Sequence, residues 1–251
     1  MTLVGKKVLI TGAGSGIGAA TAIRAATDGA EVALIGRRRS ALEQTAAAIA
    51  SAGGKPALVA PADLTEPSDV DAAAALVLDR FGELDGLVNN AGIGRFAPIA
   101  DAETKDLAYM FDLHVRGPVQ LIQRCLAGLR ARGGSIVNVT SCAGDLATPN
   151  RSFYGATKAA MNHLTRSLAI ELAPAVRVNA ILPGPVDTPI YDQVGMNPEQ
   201  MRAFRANLEA MTPMGRFGES DEVAVWVCHL LDDSARWVTG VLLPIDGGRC
   251  A

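Results

Sequence analysis

A short apolar run, Lys7-Val8-Leu9-Ile10, passes through Thr11-Gly12-Ala13-Gly14-Ser15-Gly16-Ile17-Gly18 straight into an Ala-rich amphipathic stretch. A strand that turns on glycines directly into a helix restricts the architecture, because the helix must fold back over the sheet that began it. Glycines permit the tight turn and leave no Cβ between the backbone and an approaching group. The unpaired N–H groups of the first helical turn and the positive end of the helix dipole face one small volume, which suits a pyrophosphate. The strand before, the helix after and the early position together make this stretch a dinucleotide-binding turn, with Gly12, Ser15, Gly16 and Gly18 as contacts.

The same alternation of short apolar runs and longer amphipathic segments continues to the end of the chain. Expected strands are Lys7 to Thr11, Glu31 to Ile35, Ala57 to Ala60, Gly86 to Asn89, Ser135 to Thr140, Arg177 to Ile181 and Val241 to Pro244. Expected helices are Gly16 to Asp28, Arg39 to Ala52, Pro67 to Phe81, Ala102 to Arg132, Tyr154 to Ala173 and Glu219 to Asp232. This predicts an α/β fold: a doubly wound seven-stranded parallel sheet flanked by helices on both faces, forming a single domain over residues 1–251. The segment Asp187 to Gly218 interrupts the alternation with Pro189, Pro198 and Pro213 and with Met196, Met201, Met211 and Met214. It reads as a movable helical substrate lid with an adaptable apolar wall, or as an ordinary surface insertion.

With 251 residues and 49% hydrophobic content the chain can fill a large core, and a net charge of −3 offers no overall basic field for nucleic acid. Cys125, Cys142, Cys228 and Cys250 show no metal-ligand spacing, so they read as reduced thiols and no metal is expected. No signal region and no membrane span is visible in the sequence, and the expectation is a soluble, cytoplasmic protein with a small-molecule partner.

After the second strand stands Gly36, where a carboxylate would bind a ribose 2′-hydroxyl, and Arg37-Arg38-Arg39 follow. Arginines without that carboxylate favour a phosphorylated ribose, so NADP(H) is the expected cofactor, with Arg37 and Arg38 at the phosphate. The alternative is a solvated basic start to the second helix. Tyr154 and Lys158 lie one helical turn apart, a phenol and an ammonium on the same face. A phenol near pKa 10 needs about 4 kcal/mol of help to ionise near neutrality, and a nearby cation can supply part of it.

The glycine turn, Asn89-Asn90-Ala91-Gly92, Ser141, the Tyr154/Lys158 pair and Pro183-Gly184, in this order, resemble the classical short-chain dehydrogenase/reductase family over essentially the whole chain. The resemblance implies a Rossmann-like fold and hydride transfer between nicotinamide and a carbonyl or alcohol. It makes Tyr154 the general acid or base and Ser141 the partner of the substrate oxygen. Lys158 would hold the nicotinamide ribose and lower the tyrosine's pKa. It assigns Ile17 to the pyrophosphate, Asp63 and Leu64 to the adenine, and Asn90, with Ala91 and Gly92, to the adenosine ribose region. Pro183, Gly184, Val186 and Thr188 would border the nicotinamide. Asp63 and Thr188 also read as cap and turn residues.

One position departs from the family pattern. His114-Val115-Arg116-Gly117 stands where an asparagine, two residues and a glycine are usual. In the family that asparagine steadies a helix irregularity whose carbonyl holds a water linking the lysine to solvent. His114 is expected to serve there through its main chain or its imidazole, or else to be an ordinary satisfied helix histidine. His163 and His229 read as structural or surface residues, and Cys142 as a small buried residue pointing away from Ser141. The leading function is an NADPH-dependent carbonyl reductase or, in reverse, an alcohol dehydrogenase. A 3-oxoacyl-carrier-protein reductase, docking its carrier on Arg124, Arg130 and Arg132, ranks second. A nucleotide-binding regulatory module with little turnover is the third. A homotetramer is the family's common assembly, with apolar faces on Met110 to Leu129 and Trp226 to Leu231 available for it.

Overall fold

A computed structural model of the chain describes residues 2–193 and 196–251; Val194 and Gly195, inside the expected lid, lie outside the described residues, as does Met1. Strands β1 (Lys7–Thr11), β2 (Glu31–Gly36), β3 (Leu58–Pro61), β4 (Gly86–Asn89), β5 (Ser135–Val139), β6 (Arg177–Pro183) and β7 (Leu242–Ile245) form one sheet in the order β3-β2-β1-β4-β5-β6-β7. All six pairings are parallel. Each expected strand is present; β1 and β4 have the expected bounds, and the other five differ by one or two residues at one or both ends.

The helices are α1 (Gly16–Thr27), α2 (Arg39–Ser51), α3 (Pro67–Phe81), α4 (Thr104–Phe111), α5 (Gly117–Arg132), α6 (Ser152–Leu172), α7 (Pro198–Ala210) and α8 (Ser220–Leu231). Strand side chains alternate between the two faces, and the core divides accordingly. Leu9, Ile35, Leu87, Ile136 and Val178 pack with Val77 of α3, Leu121 of α5 and Leu172 of α6. Val8, Ile10, Leu34, Val88 and Ile181 pack on the other face with Ala22 of α1, Ile49 of α2 and Val227 of α8. Because both faces are covered, the strands are continuously apolar, as parallel sheets require. The strand order reverses at β1: β2 and β3 lie to one side of it and β4 to β7 to the other. A crevice therefore opens between the carboxyl ends of β1 and β4, where open α/β sheets bind ligands.

The helix expected from Ala102 to Arg132 is interrupted. Between α4 and α5 the residues Asp112–Arg116 form a π-helical turn, which places His114 at its centre. The lid segment holds a 3-10 turn at Pro189–Gln193 and then α7. Asn197 caps α7, its Oδ1 accepting from the N–H of Glu199 at 3.1 Å and of Gln200 at 2.9 Å, while Gln200 Oε1 accepts from the Asn197 N–H at 3.0 Å. Tyr191, Leu208 and Phe217 form a small core of its own beneath this segment. Among the described residues no helix is long and apolar enough to cross a membrane, and no cluster of three or more His, Cys, Asp or Glu side chains is placed to hold a metal.

Candidate active site

The crevice at the strand ends is the mouth of a cleft of about 1140 Å³, counting its open side. Gly12, Ser15, Gly16, Ile17, Asn90 and Gly92 line one half, and Ser141, Tyr154, Lys158, Pro183, Gly184, Val186 and Thr188 the other. The glycine turn is held tightly. A Cβ on Gly18 would lie 2.3 Å from the Gly12 carbonyl oxygen, so α1 can approach the turn only without a side chain there. The Asn90 amide Nδ2 donates to the Thr11 carbonyl at 3.0 Å, and Thr11 Oγ1 accepts from the N–H groups of Asn90 at 2.9 Å and Ala91 at 3.0 Å. Asn90 thus lines the cleft while its carboxamide fastens the end of β4 to the turn.

Beside the turn a second slot is lined by Gly36, Arg37, Arg38, Leu64, Ala91 and Ile93. The three arginines fare differently. Arg37 Nη1 donates to the Tyr109 hydroxyl at 2.8 Å and stands 3.9 Å from Asp63. Arg39 lies 3.7 Å from Glu43. Arg38 reaches both the slot and the main cleft with no carboxylate partner among the described residues. Asp63 does not line the slot; its Oδ1 accepts from the Thr65 N–H at 3.0 Å and hydroxyl at 2.8 Å, a turn-forming role. Helix-start N–H groups, an uncommitted guanidinium and a lining without any carboxylate suit an anionic, phosphate-bearing ligand.

Ser141 follows β5 and caps a 3-10 turn, Cys142–Gly144, its Oγ accepting from the Ala143 N–H at 3.1 Å. Tyr154 and Lys158 project from α6, only 7% and 6% exposed. Gly155 lets α6 lie against this turn, for a Cβ there would meet the Ala143 carbonyl oxygen at 2.8 Å. Lys158 Nζ donates to the Val139 carbonyl at 3.2 Å and sits 5.7 Å from the centre of the Tyr154 ring. Burial pushes Tyr154 up to about 12, with the Ser141 hydroxyl pulling the other way. Burial also brings Lys158 down to about 8. Burial is the largest influence on the phenol and raises it, and Lys158 is not among the groups that shift it.

His114 is buried behind this pair. Its Nε2 accepts from the Ile93 N–H at 3.1 Å, and its Nδ1 lies 2.8 Å from Thr157 Oγ1. Thr157 directs its hydroxyl proton to the Tyr154 carbonyl at 2.8 Å, so its oxygen must accept from His114. These bonds fix a neutral imidazole with its proton on Nδ1. Burial, and then the Lys158 charge, hold the imidazole pKa well below its usual range. The ring also stands edge-on to Tyr154, with centroids 5.8 Å apart, as Phe96 does at 5.5 Å.

Other expectations change. Cys142 does not point away from the site: β5 has ended at Val139, strand alternation no longer applies, and the buried Cys142 lines the cleft with its thiol raised by burial. None of Met196, Met201, Met211 and Met214 lines the cleft; the segment Asp187 to Gly218 contributes Thr188, Pro189, Ile190 and Tyr191, while Met211 and Met214 are exposed. Arg124 pairs with Asp71 at 2.7 Å and Arg132 with Asp85 at 3.1 Å, so the expected carrier-docking arginines are largely neutralised. His163 is exposed and His229 packs against Trp226. Arg151, Arg249, Phe96 and Tyr191, which sequence reading missed, also line the cleft. They converge from distant parts of the chain, and no local spacing announces them.

A phenol, an ammonium and a serine hydroxyl gathered at the switch point of a doubly wound sheet define an oxidoreductase on a dinucleotide fold. Comparison with known proteins narrows the class. The family described as Enoyl-(Acyl carrier protein) reductase matches residues 12–249. Levodione reductase of Leifsonia aquatica is 35% identical over 97% of this chain and 94% of its own. A solved structure of levodione reductase superposes with a TM-score of 0.94 at 34% identity, covering 98% of each chain. A 3-oxoacyl-acyl-carrier-protein reductase of Thermotoga maritima is 35% identical over 99% of both chains. A 3-ketoacyl-(acyl-carrier-protein) reductase from Brucella melitensis, complexed with NADH, superposes with a TM-score of 0.91 at 35% identity over 100% of both. The chain belongs to the short-chain dehydrogenase/reductase family.

Proposed function

We propose that this protein is an NADP(H)-dependent oxidoreductase acting on a CH–OH group or the corresponding carbonyl, with Tyr154 moving the proton. The observation that carries this reading is the meeting of Ser141, Tyr154 and Lys158 in one cleft beside the glycine turn. Bound nicotinamide supplies or takes the hydride. The turn residues Gly12, Ser15, Gly16, Ile17 and Gly18 hold the pyrophosphate, and Leu64, Asn90, Ala91 and Gly92 border the adenosine. Pro183, Gly184, Val186 and Thr188 border the nicotinamide. Arg38, with no acidic partner, meets the 2′-phosphate, and Arg37 steadies that corner through Tyr109.

Reduction turns a carbonyl oxygen into an alkoxide that needs a proton and a polar partner within about 3 Å. Tyr154 is a protonated phenol at neutral pH and gives that proton; in oxidation it takes one back. Ser141 Oγ holds the oxygen in place, and Lys158 holds the nicotinamide ribose. His114 is a positioning residue: it ties α6, the π-helical turn and the loop after β4 behind the tyrosine. Incubating the pure protein with NADPH and a panel of ketones while following nicotinamide absorbance tests the reading. Consumption of NADPH is expected; tight NADPH binding without consumption by any carbonyl overturns it in favour of a regulatory module.

A 3-oxoacyl-carrier-protein reductase is the second reading, supported by relatives that bear that name. The pairing of Arg124 and Arg132 with carboxylates weighs against it. A homotetramer in the cytoplasm remains our proposal for the assembly. Most of the apolar residues of α5 and α8 pack into the chain's own core, but Phe111, Ile170, Trp226 and Trp237, the last 97% exposed, offer apolar surface to a second copy.

A further inference from the structure

The substrate half of the cleft carries two guanidinium groups that the family pattern did not call for. Arg249 is only 9% exposed, and its Nη1 donates to the Met211 carbonyl at 3.2 Å. Its Nη2 is buried with no partner among the described residues. Asp246, three residues before it in the chain, is engaged elsewhere: its carboxylate accepts from the N–H groups of Gly248 at 2.9 Å and Cys250 at 2.8 Å. Arg151 is half-buried, its guanidinium 4.7 Å from the Phe96 ring centre and 5.3 Å from that of Phe204, and its Nη2 is likewise buried without a partner. Stacking on two aromatic faces fixes the guanidinium plane and leaves its N–H edge for a ligand.

Buried charges are ordinarily paired, and buried donors ordinarily bonded. Here Arg38, Arg151, Lys158 and Arg249 line one cleft that no Asp or Glu lines. Arg38 belongs to the end at the glycine turn and Lys158 to the tyrosine. Arg151 and Arg249 are left for the opposite end, where Tyr191 also lines the cleft; burial raises its hydroxyl, and Arg151, Arg205 and Arg249 draw it back.

We infer that the cleft takes a carbonyl or alcohol substrate that carries its own oxyanion, a carboxylate or sulfonate, seated between Arg151 and Arg249 near Tyr191. The inference names the substrate class of the proposed active site and rests on that reading. Planar guanidinium edges suit such an oxyanion, and its charge satisfies donors that otherwise stay buried and unbonded. A neutral ketone of the same shape leaves them so.

The test uses methyl-ketone acids from acetoacetate to 6-oxoheptanoate, each beside its methyl ester, and 2-oxopropanesulfonate beside the neutral methyl sulfone, all with saturating NADPH. The parent protein is expected to favour at least one acid over its ester by tenfold or more in kcat/KM, and the carboxylate and sulfonate arms tell which oxyanion fits. In Arg151→Gln and Arg249→Gln that preference should fall at least tenfold, chiefly through KM. Arg249→Gln removes a buried group, so thermal melting accompanies it, and Arg151→Gln carries the test if the other variant does not fold. A preference within twofold of unity for every pair, or one unmoved in the folded variants, overturns the inference. If no ketone consumes NADPH, the hydride reading fails separately. Calorimetric titration of the same acids into the NADPH-loaded protein then decides: binding of an acid that is lost in Arg151→Gln sustains the oxyanion site, and absence of any such binding overturns it.

Discussion

The imidazole of His114 gives its Nδ1 proton to the hydroxyl of Thr157 across 2.8 Å, joining the π-helical turn to α6 one turn away from Tyr154. Both ring nitrogens are thereby committed, since Nε2 accepts from Ile93. A histidine in this state has no free ring nitrogen for carrying protons.

His114→Asn is therefore expected to keep the acidic limb of the kcat/KM profile where it is between about pH 5 and about pH 8, the range in which an accessible imidazole would titrate. Stability should fall by about 1 kcal/mol, because the Asn amide reaches only as far as Nδ1 does and so keeps the Thr157 bond while giving up the Ile93 one. Thermal melts of His114→Asn, and a cycle of His114→Ala, Thr157→Val and their double variant, check this. Losses that simply add would mean that the two side chains do not interact.

Lys158 makes stability depend on pH with a definite sign. Its folded-state pKa is about 8 against an ordinary 10.5, because burial disfavours the charge. Below about pH 8 folded and unfolded chains both hold the proton, and the fold bears the full cost of burying it. As pH rises through that window the folded chain releases the proton first, so this contribution turns toward stability, by about 3 kcal/mol in all. Cys125 and Cys228 from about pH 9 and Tyr154 from about pH 10, all pushed up to about 12 in the folded chain, oppose it. Lys158→Met isolates the lysine: it should melt higher than the parent at about pH 7.5, with the margin shrinking toward about pH 10.5. A margin that does not change with pH would show that Lys158 is solvated.

Much of this site was legible in residue order. The glycine turn, the seven apolar runs and the Tyr154/Lys158 spacing depend on local geometry, which periodicity reports directly. The position of His114 marked the helix irregularity before its π-helical form was seen. What stayed hidden depends on burial and on distant parts of the chain meeting. The Tyr154 phenol looked poised to ionise because a cation lay one turn on, yet burial, which spacing does not report, raises it. Cys142 was assigned to the far face by extending strand alternation three residues beyond the end of β5. Arg151 and Arg249 lie 98 positions apart, 249 − 151, and only the folded chain brings them to one wall.

Cofactor choice should turn on Gly36. Its backbone does not adopt a positive φ, and a Cβ there would meet only the flexible end of Leu42 at 3.3 Å, so Gly36→Asp is tolerated. The new carboxylate would bond a free ribose hydroxyl, repel a 2′-phosphate and draw Arg38 away from it. The ratio of kcat/KM for NADPH over NADH is expected to drop by about 100-fold, and by about tenfold in Arg38→Gln, in line with one or two lost charge-assisted bonds. Steady-state kinetics with both cofactors read this out, and an unchanged ratio in both variants would remove Arg38 from the phosphate.

Tyr154→Phe separates the proton from the ring. The aromatic edges of Phe96 and His114 pack against the ring itself, so the variant should fold with the parent's melting temperature to within a few degrees. With the hydroxyl gone, no other group at that position can give the alkoxide its proton, and general-acid catalysis is worth about 10²- to about 10⁴-fold. Turnover of any accepted ketone should fall by that factor while NADPH binding, followed by calorimetry, stays within about threefold, because the phenol acts on the reacting oxygen and the glycine turn carries the cofactor's phosphates. Ser141→Ala, which leaves the proton donor in place, should cost less, about the 10²-fold expected for one lost oxyanion partner. Parent-like turnover in Tyr154→Phe would move the proton source to another group in the cleft, and Tyr191, the other buried phenol on its lining, would be the next to change.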